Sequence, residues 1–426
     1  MTQEQVIKLA EQGHNIFLTG NAGTGKTYTL KKIISALEAK GKRIAKTATT
    51  GIAATHIDGI TIHSWSGINV KSCLDEDKQD LYALANNKKS SYRIKSSDVL
   101  IIDEISMMHD FKLDMIDKIL CFIRKNDDTF GGMQVILCGD FFQLPPVGGD
   151  GNNYAFYAKS WEQGDFKICY LYENHRQEND ALFIKILNKI RNGTLLNNYE
   201  DYKILKQSIG NISILDKAVD LFFTNADVDF RNDISLSKLD TFQKTYESVI
   251  SGDVIAIGKF MNDKNWLGKK SLTLKEGAKV MCLVNNFKEN YFNGTLGEII
   301  YMGNNPIIKV FKTGEEIEIA PYTWKIEEDD EKTNKKIIIA TVTQIPLKLA
   351  WAMTINKSQG CGLDFASVDP KNVTENMAYV GISRVTSLSG LHLKSLLPEN
   401  LKMNRIILKK DAEFQQKSQE LEKYLD

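Results

Sequence analysis

Three short stretches carry residue types whose spacing suits phosphate chemistry. The first, Gly20-Asn21-Ala22-Gly23-Thr24-Gly25-Lys26-Thr27, fits G-x-x-x-x-G-K-[ST] and lies between an apolar run and a helical pattern. In such a loop the backbone N–H groups from Gly20 through Ala22, Gly23, Thr24 and Gly25 can close around a β-phosphate. Lys26 then reaches the β and γ phosphates, and the Thr27 hydroxyl is a ligand for Mg2+. The second stretch, Val99 to Glu104, is an apolar run that delivers two carboxylates at its end. Asp103 is placed to hold the metal and Glu104 to activate a water. A nucleotide kinase or a GTPase shares this much, so hydrolysis of ATP needs further residues. The third stretch, Gly139-Asp140-Phe141-Phe142-Gln143-Leu144-Pro145-Pro146, follows another apolar run and on its residues alone reads as a rigid turn after a strand.

The elements around these residues explain why they can meet. Asn15 to Thr19, Arg43 to Ala48, Val99 to Ile102 and Val135 to Cys138 read as buried strands. Between the first two, Thr27 to Ala39 repeats Leu30, Ile33, Ile34 and Leu37 at helical spacing. Strands alternating with helices predict a parallel sheet, whose ligands bind at the carboxyl ends of the strands. Further on, Asp180 to Gly193 reads as a helix opening a second domain, and Leu221 to Phe223 as another strand. Ala378 to Ile382 marks a late apolar element. From Gly294 to Ile345 the pattern changes to short alternating strands, which predicts a small β-barrel insert. Glu327 to Lys336 reads as a charged hairpin tip, and Lys409 to Asp426 as a charged helix on the solvated surface.

Composition bounds the function classes. The 426 residues are 42% hydrophobic and 25% charged, as in a folded multidomain protein, which excludes disordered and disulfide-scaffold classes. Lys plus Arg and Asp plus Glu both number 54, so nucleic acid would have to be held by local patches. One candidate patch is the lysine-rich stretch Lys259 to Lys288. The six cysteines are scattered without a C-x-x-C pair, which predicts reduced, structural thiols. With neither a leader pattern nor a membrane-spanning run, the expected location is cytoplasmic.

On the run G-D-x-x-Q-L-P-P, the chain resembles superfamily 1 helicases, specifically the Pif (petite integration frequency) branch. The match extends over nearly the whole sequence. Thr2-Gln3-Glu4-Gln5 is similar to the family's Q motif, which would put Gln5 on adenine, although a short polar start is also a helix cap. Thr47 to Ala54 and Thr61 to Trp65 resemble motifs lining the DNA path, which implies DNA contacts at Thr50, Gly51, His63 and Ser64 and one aromatic holding the strand. The resemblance gives Gln143 the γ-phosphate and attacking water, and puts the following loop, through Pro146, on single-stranded DNA. Leu171 to Gln177 resembles motif IV, making Arg176 a γ-phosphate ligand. Tyr379 to Arg384 resembles motif VI, making Arg384 the second arginine finger. Trp351 to Gly360 resembles motif V, with Thr354, Lys357 and Ser358 toward DNA and Gly360 toward nucleotide; this chain has Asn356 where many relatives carry histidine. The helix from Asp180 is similar to the family's signature motif, and Leu221 to Asn232 to a strand-end motif with Asn225 on the DNA backbone or capping the next helix.

The resemblance thus implies two RecA-like parallel-sheet domains with an SH3-like β-barrel insert. Domain 1A is expected at 1–170, 2A at 171–290 and 346–426, and the insert, 2B, at 291–345. The expected activity is ATP-dependent, 5′ to 3′ DNA unwinding with Mg2+, by a monomer acting on single-stranded and forked or partial duplex DNA. Whether a G-quadruplex or an RNA–DNA hybrid is also a substrate stays open. Other readings are a DNA-stimulated translocase without productive unwinding and a P-loop small-molecule kinase or binding module.

Overall fold

The computed structural model describes residues 1–68, 87–146, 153–173, 180–222, 225–262, 266, 268–286, 288–289, 291–329, 336–358, 362–371 and 375–425. The chain divides into two compact units. The first comprises Met1–Tyr202, Val373–Val380 and Pro398–Asp426; the second comprises Lys203–Asn372 and Gly381–Leu397.

The first unit is built on β1 (Ile16–Gly20), β2 (Ile44–Ala48), β3 (Ile60–Thr61), β4 (Val99–Asp103), β5 (Gln134–Cys138) and β6 (Lys167–Leu171). Their order is β3-β2-β4-β5-β1-β6, and every pairing is parallel. All five residues of β1 and of β4 are buried, as expected of strands covered on both faces, where apolar runs are continuous rather than alternating. The helix Lys26–Ala39 buries Leu30, Ile33, Ile34 and Leu37 in the same core as Ile16 and Leu18.

One expectation is corrected here. The terminal helix runs over Arg405–Glu422 and is not a solvated surface element: it buries a stripe of Ile407, Asp411, Phe414 and Ser418. Ser418 Oγ accepts the Tyr170 N–H at 3.0 Å, fastening the helix to β6. The Phe414 ring lies 5.0 Å from that of Phe17 and 6.1 Å from those of Phe141 and Trp161. The charge alternation in the sequence records the outer face, and the inner face is too sparse to stand out. The helix Ala181–Arg191 and the terminal helix both fall in the first unit.

The second unit contains a parallel sheet in the order Ala352–Thr354, Val219–Phe222, Ala366–Val368, Leu391–Leu393. It also contains antiparallel sheets. The largest orders Glu316–Glu318, Pro306–Val310, Leu296–Met302, Lys279–Cys282 and Leu347–Leu349, around a core including Val280, Ile299 and Ile308. Tyr322–Asp329, Lys336–Gln344 and Val249–Gly252 form another. The β insert therefore draws in strands on both sides of 291–345. Met377–Ile382, the late apolar element, is helical. Among the described lysines of 259–288, Lys279 is buried and donates to the Ala218 carbonyl at 2.7 Å, and Lys275 donates to that of Leu239, so these two do not extend a phosphate track. Burial pulls the Lys279 ammonium down to about 8. Cys138, Cys169 and Cys282 are buried free thiols. Among the described residues no helix is long and apolar enough to cross a membrane.

Candidate nucleotide site

The sheet order makes β4, β5 and β1 consecutive neighbours, so the three stretches picked out by their chemistry leave the same edge side by side. At a strand spacing of about 4.8 Å, the ends of β4 and β1 stand roughly 10 Å apart across β5, a span suited to a triphosphate and its metal.

The phosphate loop is shaped by left-handed glycines, with φ of 147° at Gly20, 85° at Gly23 and 78° at Gly25. Gly20 also pairs with Leu171 of β6, and a Cβ there would sit 2.4 Å from the Leu171 carbonyl oxygen. Lys26 Nζ donates to the Gly20 and Asn21 carbonyls, both at 2.9 Å, so the ammonium curls over the loop it serves. Burial pulls its pKa below the ordinary lysine value, while the Asp140 and Glu104 carboxylates pull the other way. Thr27 is half-buried in the first helical turn.

Asp103 is 4% exposed at the end of β4. Burial raises its pKa, opposed by hydrogen bonds from the Cys138 thiol and the Glu104 N–H. Glu104 itself is left-handed at φ 55°, a conformation that costs a non-glycine residue energy and that turns the chain sharply as it leaves the strand. Thr49 holds this turn, its hydroxyl donating to the Glu104 carbonyl at 2.9 Å. After β5, the Gln143 N–H closes a turn on the Asp140 carbonyl at 2.9 Å, and Gln143 is buried.

Sequence reasoning passed over part of this surround. Asp140 is fully buried and accepts from Phe142 N–H at 3.1 Å and from Arg191 Nη2 at 3.1 Å. Arg191, the last residue of the helix Ala181–Arg191, also binds Asp411 through both Nη atoms, at 2.9 and 3.0 Å. Burial works against its charge, yet Asp140, Tyr170 and Asp411 hold the guanidinium well above the ordinary arginine value. The Tyr379 hydroxyl accepts the Ala22 N–H at 3.4 Å, bringing the start of the late helix onto the phosphate loop. An arginine closing the apolar stripe of the helix Ala181–Arg191 was the available signal for Arg191; Asp411 had none.

The other predicted residues fall into distinct places. The Gln5 side chain accepts the Thr2 N–H and Thr2 accepts that of Gln5, a capping box on the first helix. Thr50 caps the helix Gly51–His56 and Thr61 the helix Ile62–Ser66. Burial lowers the His63 pKa to about 4, with Lys112 adding to the effect, so the ring is neutral. Ser64 is exposed, and Pro146 is half-buried. Trp65, the aromatic expected to hold DNA, is 3% exposed and is a core residue. In the second unit, Asn225 is exposed and starts its helix. Thr354 Oγ1 accepts the Lys357 N–H, and the fully buried Ser358 hydroxyl donates to the Ile355 carbonyl. Arg384 is buried, with Nη2 donating to Ser383 Oγ at 3.3 Å. Arg176 and Gly360 lie outside the described residues.

A family model described as PIF1-like helicase matches residues 2–201. The ATP-dependent DNA helicase Pif1 of Psychrobacter sp. (strain PRwf-1) is 35% identical, over 99% of this chain and 72% of its own length. The ATP-dependent DNA helicase PIF1 of Saccharomyces cerevisiae (strain YJM789) is 30% identical over 95% of this chain, which spans 60% of it. Among solved structures, Bacteroides sp Pif1 in complex with ADP-AlF4 superposes with a TM-score of 0.85 at 29% identity, covering 97% of this chain and 96% of that one. Bacteroides Pif1 bound to ssDNA gives 0.62 at 29% identity, covering 96% and 95%.

Proposed function

The chain belongs to the PIF1-like helicase family, and from that premise we propose that it is an ATP-dependent DNA helicase that moves 5′ to 3′ on single-stranded DNA and unwinds duplex. The observation that carries the reading is the set of adjacent strand ends bearing Lys26, the Asp103–Glu104 pair and Gln143. Phosphoryl transfer to water needs positioning and charge neutralisation more than covalent chemistry. Lys26 exchanges the loop carbonyls for β- and γ-phosphate oxygens. Glu104, aimed by its left-handed turn, takes the proton of the attacking water, and Gln143 orients that water against the γ-phosphate. Arg176 and Arg384 neutralise the charge that spreads over the transferring group.

Mg2+ fits this donor set. Thr27 and Asp103 offer hard oxygens, and among the described residues no cluster of carboxylates, histidines and cysteines forms a self-sufficient metal cage. That is the pattern for an ion held by one or two protein oxygens together with phosphates and water. Bound there, Mg2+ supplies charge neutralisation of the phosphate oxygens. Each unit carries its own DNA candidates: Thr50, Gly51, His63, Ser64 and Pro146 in the first, and Asn225, Thr354, Lys357 and Ser358 in the second. The solved relative bound to ssDNA supports single-stranded DNA as the ligand, and forked or partial duplex DNA is the substrate that follows from it. A monomer in the cytoplasm completes the reading.

The test is ATP-dependent opening of two partial duplexes, one with a 5′ tail and one with a 3′ tail, with Lys26→Ala as control. Opening of the 5′-tailed duplex alone, abolished in the variant, is the expected result. Opening of the 3′-tailed duplex alone would refute the polarity, and DNA-stimulated ATP turnover without opening would reduce the protein to a translocase.

A further inference from the structure

Arg191, Asp140, Asp411 and Tyr170 form one buried cluster in the first unit. None lies in the phosphate loop or carries Gln143, yet the cluster grips both. On one side, Arg191 holds the Asp140 carboxylate and lies 4.0 Å over the Phe142 ring, within the turn that Gln143 closes. On the other, the Tyr170 hydroxyl stands 3.1 Å from Asn21 Oδ1 of the phosphate loop and 3.3 Å from both Asp411 oxygens. Asn21 is fastened again by its amide nitrogen, which donates to Asn188 Oδ1 at 2.7 Å, one helical turn before Arg191. Asp411 is the common member. It is bidentate to Arg191, and Gln415, one turn on, donates to it at 2.7 Å.

A guanidinium fork fixed at both ends by carboxylates sets direction as well as distance, which a packed apolar contact does not. We propose that Asp411 is a positioning residue for ATP hydrolysis: through Arg191 and Tyr170 it keeps the Gln143 turn and the phosphate loop in one register. The proposal rests on the ATPase reading above. Because Asp411 is bonded to Arg191, Tyr170 and Gln415 and reaches the phosphate loop and the Gln143 turn only through the first two, its loss leaves nucleotide binding in place and weakens the step that needs Gln143 and the loop aligned.

Asp411→Asn tests this. The change leaves the Arg191–Asp140 pair intact, so no buried charge is orphaned and the fold is expected to survive. In DNA-stimulated ATP turnover, kcat should fall about tenfold with KM for ATP within about twofold of wild type, where a tenfold change corresponds to ~1.4 kcal/mol. In a Gln143→Ala background, Asp411→Asn should cost clearly less than the tenfold it costs alone, because one of the two elements it aligns no longer acts and only its hold on the phosphate loop remains. A folded Asp411→Asn protein with unchanged kcat, or a loss fully additive with that of Gln143→Ala, overturns the proposal. Tyr170→Phe, which removes only the hydroxyl between Asn21 and Asp411, provides a second reading, with an expected fall in kcat of about threefold and unchanged KM; no fall overturns the link to the phosphate loop. Wild-type protein without DNA-stimulated turnover would overturn the functional reading instead, and is seen before any variant is compared.

Discussion

Gly20→Ala separates backbone strain from steric overlap at the mouth of the phosphate loop. Gly20 has φ of 147°, and an added Cβ would lie 2.4 Å from the Leu171 carbonyl oxygen and 2.9 Å from Thr24 Oγ1. The strained conformation alone costs about 1–3 kcal/mol. The overlap is with the backbone of a paired strand, which cannot rotate away, and overpacking of this kind adds about 1–3 kcal/mol. Gly41 supplies the control. Its φ of 75° is also left-handed, but nothing lies within 4 Å of its Cβ position, so Gly41→Ala carries strain alone, about 1–2 kcal/mol. If the loop moves to relieve the overlap, the extra cost comes out of ATP binding, and 1–3 kcal/mol weakens it roughly 5- to 150-fold. Binding of a fluorescent ATP analogue and chemical denaturation, run on both variants, read the two effects. Gly20→Ala with the nucleotide affinity and unfolding free energy of Gly41→Ala would refute the reasoning.

Other perturbations follow from the same geometry. Glu104→Gln should lower kcat roughly 100- to 10,000-fold while nucleotide and DNA binding persist, checked by single-turnover hydrolysis beside equilibrium binding; loss of ATP binding would contradict its role as base. Phe414→Ala should destabilise the protein by about 3–5 kcal/mol, read by urea denaturation, because the ring sits in a closed aromatic cluster. The His63 pKa falls from 6.5 to about 4 on folding, so between those values the unfolded chain binds more protons and stability drops as pH falls. A His63→Gln protein should show a shallower loss of stability across that window; an identical slope would mean that the ring is not buried as described.

The parts of the fold legible in the sequence are those where one physical signal dominates. Val99 to Asp103 is apolar throughout because the strand is covered on both faces, and the glycines of the phosphate loop sit where positive φ is needed. What escaped is long-range. Asp411 contacts Arg191 across 220 positions of sequence, and no local pattern announces such a partner. Trp65 read as a DNA-facing aromatic because motif position says nothing about which way a ring turns; the structure turns it inward. The terminal helix was misjudged since Ile407, Asp411, Phe414 and Ser418 mix polar and apolar types along one buried stripe.

The terminal helix imposes an order of events on synthesis. The aromatic cluster of Phe17, Phe141 and Trp161 is complete only when Phe414 joins it, and the intervening residues 203–372 belong to the other unit. At about 5–20 residues per second, the ribosome needs roughly 10–40 s to make the stretch between Tyr202 and Pro398. Throughout that interval the face of the aromatic cluster that Phe414 covers lacks its lid, although Tyr154 and Phe156 already pack against Phe141. A fragment ending at Tyr202 should accordingly aggregate, and a peptide spanning 398–426 supplied with it should keep it in solution.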